Sequence, residues 1–245
     1  MKLDILAIGA HPDDVELSCC GTLMMEKAKK KKVGIIDLTR GELGTRGTVK
    51  IRAAEAAAAA KIIQADMRLN LNMADGFFQN NEENQRILIQ AIRTYRPEIV
   101  LANALSDRHP DHGRAAQLIV HACFLSGLQK IPTLSIDKNK QAAWRPKYIF
   151  HYIQDRYSTP TFVYDISDVF KKKIKAIKAY TSQFYSSKSE TDEPQTYIST
   201  PQFLDSITDR HRMLGKMIGV DFAEGFIAEK MIGINSFDAF VQKET

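Results

Sequence analysis

The sequence predicts one α/β domain, a mostly parallel sheet sandwiched between helices, and three observations carry that expectation. Short apolar runs alternate with helical segments along the first half of the chain. Leu3–Gly9 (LDILAIG), Val33–Thr39 (VGIIDLT) and Glu98–Ala102 (EIVLA) are continuous rather than alternating in polarity, as expected of strands buried on both faces. No Pro/Gly/Ser linker, repeat or change of character divides the 245 residues, so 1–245 is read as one domain.

Taken in order, strand one is Leu3–Gly9, and Asp14–Lys32 has helical periodicity with lysines closing its last turn. Val33–Thr39 is the second strand. Lys50–Ile63 contains Ala53–Ala60 with Glu55, a strong helix former. A short strand follows near Met67–Leu71, then a helix over Asn84–Tyr95 that ends before Pro97, the strand Glu98–Ala102, and a helix over Gly113–Leu128. Lys147–Ile153 and Thr161–Asp165 read as strands, and Val169 to about Phe184 as a helix. Ser186–Pro194 is polar and punctuated, so it reads as a mobile loop; Pro201–Ile218 reads as a closing helix. This is a Rossmann-like layout, in which ligands bind beyond the carboxyl ends of the strands, where strand order reverses.

Composition narrows the function classes. The chain is 44% hydrophobic and 26% charged, and no apolar run approaches the ~20 residues needed to span a bilayer. Met1-Lys2-Leu3-Asp4-Ile5 lacks a signal-peptide layout, so a cytoplasmic location and no membrane partner are expected. The net charge of +5 comes with lysines in helix-like runs, Lys27–Lys32 and Lys171–Lys178, which read as solvated helix faces. No recognition motif argues for nucleic acid. Cys19, Cys20 and Cys123 have neither zinc-finger nor CxxC spacing and read as buried, reduced thiols.

Two clusters carry the chemistry. Strand one runs into His11-Pro12-Asp13-Asp14, and the strand at 98–102 leads to His109-Pro110-Asp111-His112. Each supplies nitrogen and oxygen donors together with spare acids and bases. A catalytic divalent metal needs a few protein ligands, an open position and a carboxylate nearby to take a proton. A His₂Asp set suits Zn²⁺ best, with Fe²⁺ or Co²⁺ as alternatives. A nucleotide-binding reading would need a GxGxxG turn after strand one; Gly9-Ala10-His11-Pro12-Asp13-Asp14 sets acidic and bulky groups where phosphate needs open amides. A noncatalytic metal protein would need no free carboxylate beside its ligands.

The chain resembles the LmbE/PIG-L-type zinc deacetylases. The resemblance rests on Ala10-His11-Pro12-Asp13-Asp14 with Glu16 and Gly21, on Leu38–Glu42 and Gly44–Gly47, on Arg52 and Glu55, and on His109–His112. His211-Arg212, Gly215 and Phe222–Phe226 add a likeness to the branch that deacetylates N-acetylglucosaminyl-malate in bacillithiol synthesis. The resemblance implies that His11, Asp14 and His112 bind the metal and that Asp13 is the general base. His109 would stabilise the oxyanion or protonate the departing nitrogen, a step open to Asp13 as well. Asp111 would orient a histidine. It further implies an N-acetylated amino-sugar substrate and a homo-oligomer, with a hexamer among the options.

For substrate contacts, Arg52 and the Arg40/Arg46 loop suit hydroxyls or a carboxylate. Arg52 has a plainer alternative in a helix-surface pair with Glu55. Asp75 resembles a family position that contacts sugar hydroxyls. Some members carry a tyrosine just before the second cluster; here Ser106-Asp107-Arg108 stands there, with Arg108 and the distant Tyr197 as candidate replacements. His121 and His151 read as structural, and His211 as a helix-surface residue.

Overall fold

A computed structural model describes residues 1–185 and 193–240. Seven strands form one sheet in the order β3-β2-β1-β4-β5-β7-β6. They are β1 (Ile5–Gly9), β2 (Val33–Thr39), β3 (Met67–Met73), β4 (Ile99–Ala102), β5 (Tyr148–Tyr152), β6 (Phe162–Asp165) and β7 (Ala223–Ala228). The first five run parallel to one another, whereas β7 pairs antiparallel with both β5 and β6. β7 is the element the sequence reading missed: its six residues follow the expected closing helix and wedge between two strands that precede it in the chain. A short run containing Glu224 and Gly225 shows weak local preference, so long-range pairing decides it.

The helices are α1 (Asp14–Ser18), α2 (Cys20–Ala28), α3 (Val49–Ile63), α4 (Glu82–Tyr95), α5 (Pro110–Leu125), α6 (Phe170–Ile177) and α7 (Pro201–Lys216). The single helix expected over Asp14–Lys32 is two, broken at Cys19, whose φ of −140° leaves the helical region. The helix expected from Val169 to Phe184 ends at Ile177. The expected loop Ser186–Pro194 lies outside the described residues except for its last two positions. No helix among the described residues is long and apolar enough to cross a membrane.

Alternation along the central strands fills two cores. Leu6 and Ile8 of β1 and Ile36 and Leu38 of β2 pack against Leu88, Ile92, Leu118 and Ile119 of α4 and α5. Ile5, Ala7, Val33 and Ile35 face the other side, against Val15, Leu23, Met24 and Ala176. Both faces are covered, which is why β1 and β2 are apolar throughout. β3 is an edge strand, and its Arg68 turns inward to pair with Asp37 and Glu16.

Two residues expected on helix surfaces are buried. Lys173 is fully enclosed, donating to Glu224 Oε1 at 2.8 Å and Glu16 O at 3.0 Å. His211 hydrogen-bonds Ile207 O through Nδ1 at 2.6 Å beside the Phe170 ring, and burial holds its pKa well below the usual imidazole range. α6 and α7 pack against the sheet assembly with one face each, so single polar positions on them are carried inside. The three cysteines are free and buried.

The chain winds from β1 through β2 to β3, then returns to place β4 on the other side of β1. The sheet therefore reverses its winding between β1 and β4, and both His/Asp clusters follow these two strands.

Candidate active site

The turn after β1 is held tightly. A Cβ at Gly9 would lie 3.0 Å from Asp14 Cβ and 3.1 Å from His11 O, so a side chain there would crowd the turn as it folds back on its strand. Asp13 adopts φ 117°, a costly conformation for a residue with a side chain. Its surroundings hold it there: Leu17 N donates to Asp13 O at 2.9 Å, and Arg52 Nη2 donates to Asp13 Oδ2 at 3.0 Å and to Pro12 O. Arg52 is buried and does not pair with Glu55, which instead accepts from Thr181 and Ser182. Gly41, at φ +65°, makes room for the Arg52 guanidinium; a Cβ there would sit 2.9 Å from Arg52 Cζ.

The second cluster opens α5. His109 is its N-cap, Nδ1 accepting from Asp111 N at 3.2 Å, and Pro110 occupies the first turn, where its missing N–H costs nothing. That turn carries His112 beside Asp14. His112 Nε2 is 3.1 Å from Asp14 Oδ1, and His11 Nδ1 is 3.8 Å from Asp14 Oδ2. The other nitrogen of each ring meets carboxylates: His11 Nε2 is 3.0 Å from Asp75 Oδ1 and 3.3 Å from Asp111 Oδ2, and His112 Nδ1 is 2.5 Å from Asp107 Oδ2. Imidazoles oriented in this way by carboxylates are the usual setting of histidine metal ligands.

This donor set fits a divalent cation. Asp14 itself is fixed by His11 N and Asn103 Nδ2, both at 3.0 Å, and by Gln154 Nε2 at 3.2 Å. Two groupings that share His11, His11/His109/His112 and His11/Asp75/Asp111, have ligand atoms within 4.8 Å of one another. Asp75 and Asp111, however, are engaged by Leu43 N and by Gly76 N with Arg114 Nη1, and touch His11 through the nitrogen other than the one nearest Asp14. That placement suits orientation of His11 better than coordination.

The electrostatics agree. Burial works against a charged His11, but hydrogen bonds to Asp111 and Asp75 and the charge of Asp14 outweigh it, raising its pKa to about 10. For His112 burial is likewise outweighed, by Asp14 and Asp107, giving about 9. Asp14 lies far below the usual carboxylate range because the two histidines overcome its burial. Burial raises Asp13 to about 7, opposed by Arg52. Four carboxylates thus surround two imidazoles, a field that attracts positive charge.

A cavity of about 370 Å³ opens over these groups. His11, Asp13, Asp14, His109 and His112 line it, as do Arg52, Asp75, Arg108 and Tyr197, the residues read from sequence as substrate contacts. Arg108 and Tyr197 are joined at its rim: the guanidinium lies 4.2 Å from the ring centroid, and both contact Asp155, at 3.3 Å and 3.0 Å. Asp111 is fully buried and reaches His11, Gly76 and Arg114 rather than the cavity. His121 sits on the surface against Asn80, while buried His151 bridges Asn103 O and Glu229 Oε1.

Sequence reasoning passed over Asp107, Asn103 and Gln154. Each lies within five residues of the carboxyl end of β4 or β5, and that position was the available signal. Replacing Asp107 with Asn should weaken metal binding by about 10–100-fold, because His112 loses its orienting carboxylate. Competition with a chromogenic chelator would measure this; unchanged affinity would remove Asp107 from the site.

Residues 6–123 match the family described as PIG-L: GlcNAc-PI de-N-acetylase. A diacetylchitobiose deacetylase of Thermococcus kodakarensis is 28% identical over 231 residues, 90% of this chain and 81% of that protein. An uncharacterized deacetylase of Escherichia coli, YaiS, is 35% identical over 126 residues, 49% of this chain and 67% of that one. Among solved structures, a conserved protein of Thermus thermophilus superposes with a TM-score of 0.84 at 35% identity, covering 95% of this chain and 98% of its own.

Proposed function

Because this chain belongs to the PIG-L family of de-N-acetylases, we propose that it is a metal-dependent hydrolase that removes the acetyl group from an N-acetylglucosamine conjugate. The observation that carries the reading is a carboxylate, Asp13, beside but not within the His11–Asp14–His112 donor set, at the floor of one cavity. Structural metal sites are closed by four protein ligands and need no such base beside them.

His11 Nδ1, an Asp14 oxygen and His112 Nε2 would hold the ion. A bound divalent metal supplies Lewis acidity to the amide carbonyl and lowers the pKa of water to about 7. Asp13, aimed by Arg52, accepts the proton of the attacking water as oxygen adds to the acetyl carbon. His109 has its Nδ1 occupied as an acceptor, so the neutral ring carries its proton on Nε2. That N–H serves the developing oxyanion or the departing nitrogen. The C–N bond breaks, the nitrogen gains a proton from His109 or from Asp13, and acetate and the free amine result. Asp111 and Asp75 keep His11 in register.

Within that class the leading substrate is N-acetylglucosaminyl-malate, yielding glucosaminyl-malate as in bacillithiol synthesis. The C-terminal likeness of His211–Phe226 and the arginines in and around the cavity favour it over free or oligomeric N-acetylglucosamine. Zinc is the ion the donor set suits best. A cytoplasmic homo-oligomer is the working assembly for this reading.

Purified metal-loaded protein should deacetylate the malate conjugate in preference to N-acetylglucosamine and diacetylchitobiose. Amine release across that panel, with metal analysis of the same sample, provides the test. Equal turnover of N-acetylglucosamine and the conjugate would defeat the substrate assignment.

A further inference from the structure

One wall of the cavity differs from the rest. Leu17, Ile198, Phe203 and Ile207 make it apolar, and Arg210 and Ser18 are set into it. Arg210 Nη2 donates to Leu17 O at 3.0 Å and Nη1 to Gln154 O, which leaves three of the five guanidinium N–H groups without a protein acceptor. Among them is the Nε–H, whose nitrogen has no hydrogen-bond partner and is not sealed off from solvent, and the residue lines the cavity.

Nothing neutralises this cation at contact distance. Among the described residues no carboxylate lies within 4.0 Å of Arg210. The acids whose fields reach it are engaged elsewhere: Asp155 by Arg108 and Tyr197, Asp107 by His112, and Glu224 by Lys173. Burial accordingly lowers the Arg210 pKa to about 10 in spite of those fields. Independently, Ser18 Oγ is buried, lines the same cavity and has no hydrogen-bond partner. A guanidinium without a counter-ion and an unpaired hydroxyl in an apolar wall suit a small anion with a fork of two oxygens.

We propose that Arg210 and Ser18 form a carboxylate subsite next to the reacting centre. This rests on the deacetylase reading and deepens it by assigning the substrate an acidic aglycone. Arg210 is joined through the Gln154 backbone to the residue whose side chain fixes Asp14, and through Leu17 to the helix that Asp14 begins. The subsite therefore lies close enough to the donor set for one sugar to present its acylated nitrogen to Asp13 and an attached carboxylate to Arg210. Released acetate is the other carboxylate that arises in this cavity, and the test separates the two sources.

Metal-loaded wild type, Arg210→Met, Arg210→Lys and Ser18→Ala would be compared on N-acetylglucosaminyl-malate and on methyl N-acetylglucosaminide, whose aglycone is neutral. Acetate inhibition and calorimetric binding of L-malate would be read on the same proteins. Arg210→Met should raise KM for the malate conjugate roughly tenfold or more beyond any change in KM for the neutral glycoside, and abolish malate binding. Arg210→Lys should recover part of the preference, and Ser18→Ala should shift it in the same direction by a smaller factor. Loss of acetate inhibition alone would assign the subsite to the product. Equal effects on both glycosides, or none on either and none on acetate, would overturn it. Should the wild type turn over neither glycoside, the deacetylase reading fails, and malate calorimetry still decides whether Arg210 binds a carboxylate.

Discussion

Asp13→Asn should lower kcat by about 10²–10⁴ while the protein keeps its full complement of metal. Asparagine preserves the size of the side chain and the contact with Arg52 Nη2, but it cannot accept a proton. It also tolerates the positive φ of 117° better than alanine, so the substitution tests chemistry rather than backbone strain. The complementary variant, Asp14→Ala, removes the carboxylate that lies between His11 and His112 and should lose the metal. Metal content and single-turnover rates on the same preparations distinguish the two roles. An Asp13→Asn protein without metal, beside an Asp14→Ala protein that retains it, would exchange base and ligand. Turnover within a few-fold of wild type would remove Asp13 from the proton path.

Lys173→Met should destabilise the chain by about 3–5 kcal/mol, because it strands a buried carboxylate. Glu224 accepts from Gly21 N at 2.8 Å, Thr22 N at 2.7 Å and Thr22 Oγ1 at 2.6 Å, and Lys173 supplies its only positive charge at contact distance among the described residues. The cluster ties β7 and α6 to the start of α2, so the element least evident in the sequence is anchored by a buried ion pair. Methionine matches the volume of lysine and leaves the charge of Glu224 uncompensated. Pairing it with Glu224→Gln should recover part of the loss, since a neutral amide still accepts from the backbone of α2. Urea unfolding of the single and double variants measures both effects. A single-variant loss below about 1 kcal/mol, or a double variant less stable than either single one, would contradict this account.

Much of the site could be read from residue order. His11-Pro12-Asp13-Asp14 and His109-Pro110-Asp111-His112 each follow a strand whose apolar run is plain in the sequence, and the sheet brings them together at its reversal point. Asp107, Asn103 and Gln154 were not legible in the same way. A lone acid or amide after a strand has no spacing to single it out, and its role appears only when the histidine or carboxylate it serves arrives from another strand. The burial of Lys173 and His211 is hidden in the sequence for a related reason. Helical periodicity assigns one face to solvent, and it cannot register that Glu224 comes from some fifty residues beyond Lys173 to receive its charge.

The sequence by itself determined the α/β architecture, the parallel core strands, the family and the residues around which the chemistry is proposed. Those properties are written in local apolar period and in motifs a few residues long. Tertiary structure alone decided which ring nitrogen meets which carboxylate, how Arg52 turns inward to Asp13, where β7 enters the sheet, and that Arg210 lines the cavity without a counter-ion. Each of these joins residues from separate segments of the chain. Burial and pairing at such distances depend on the completed packing, which no local pattern encodes.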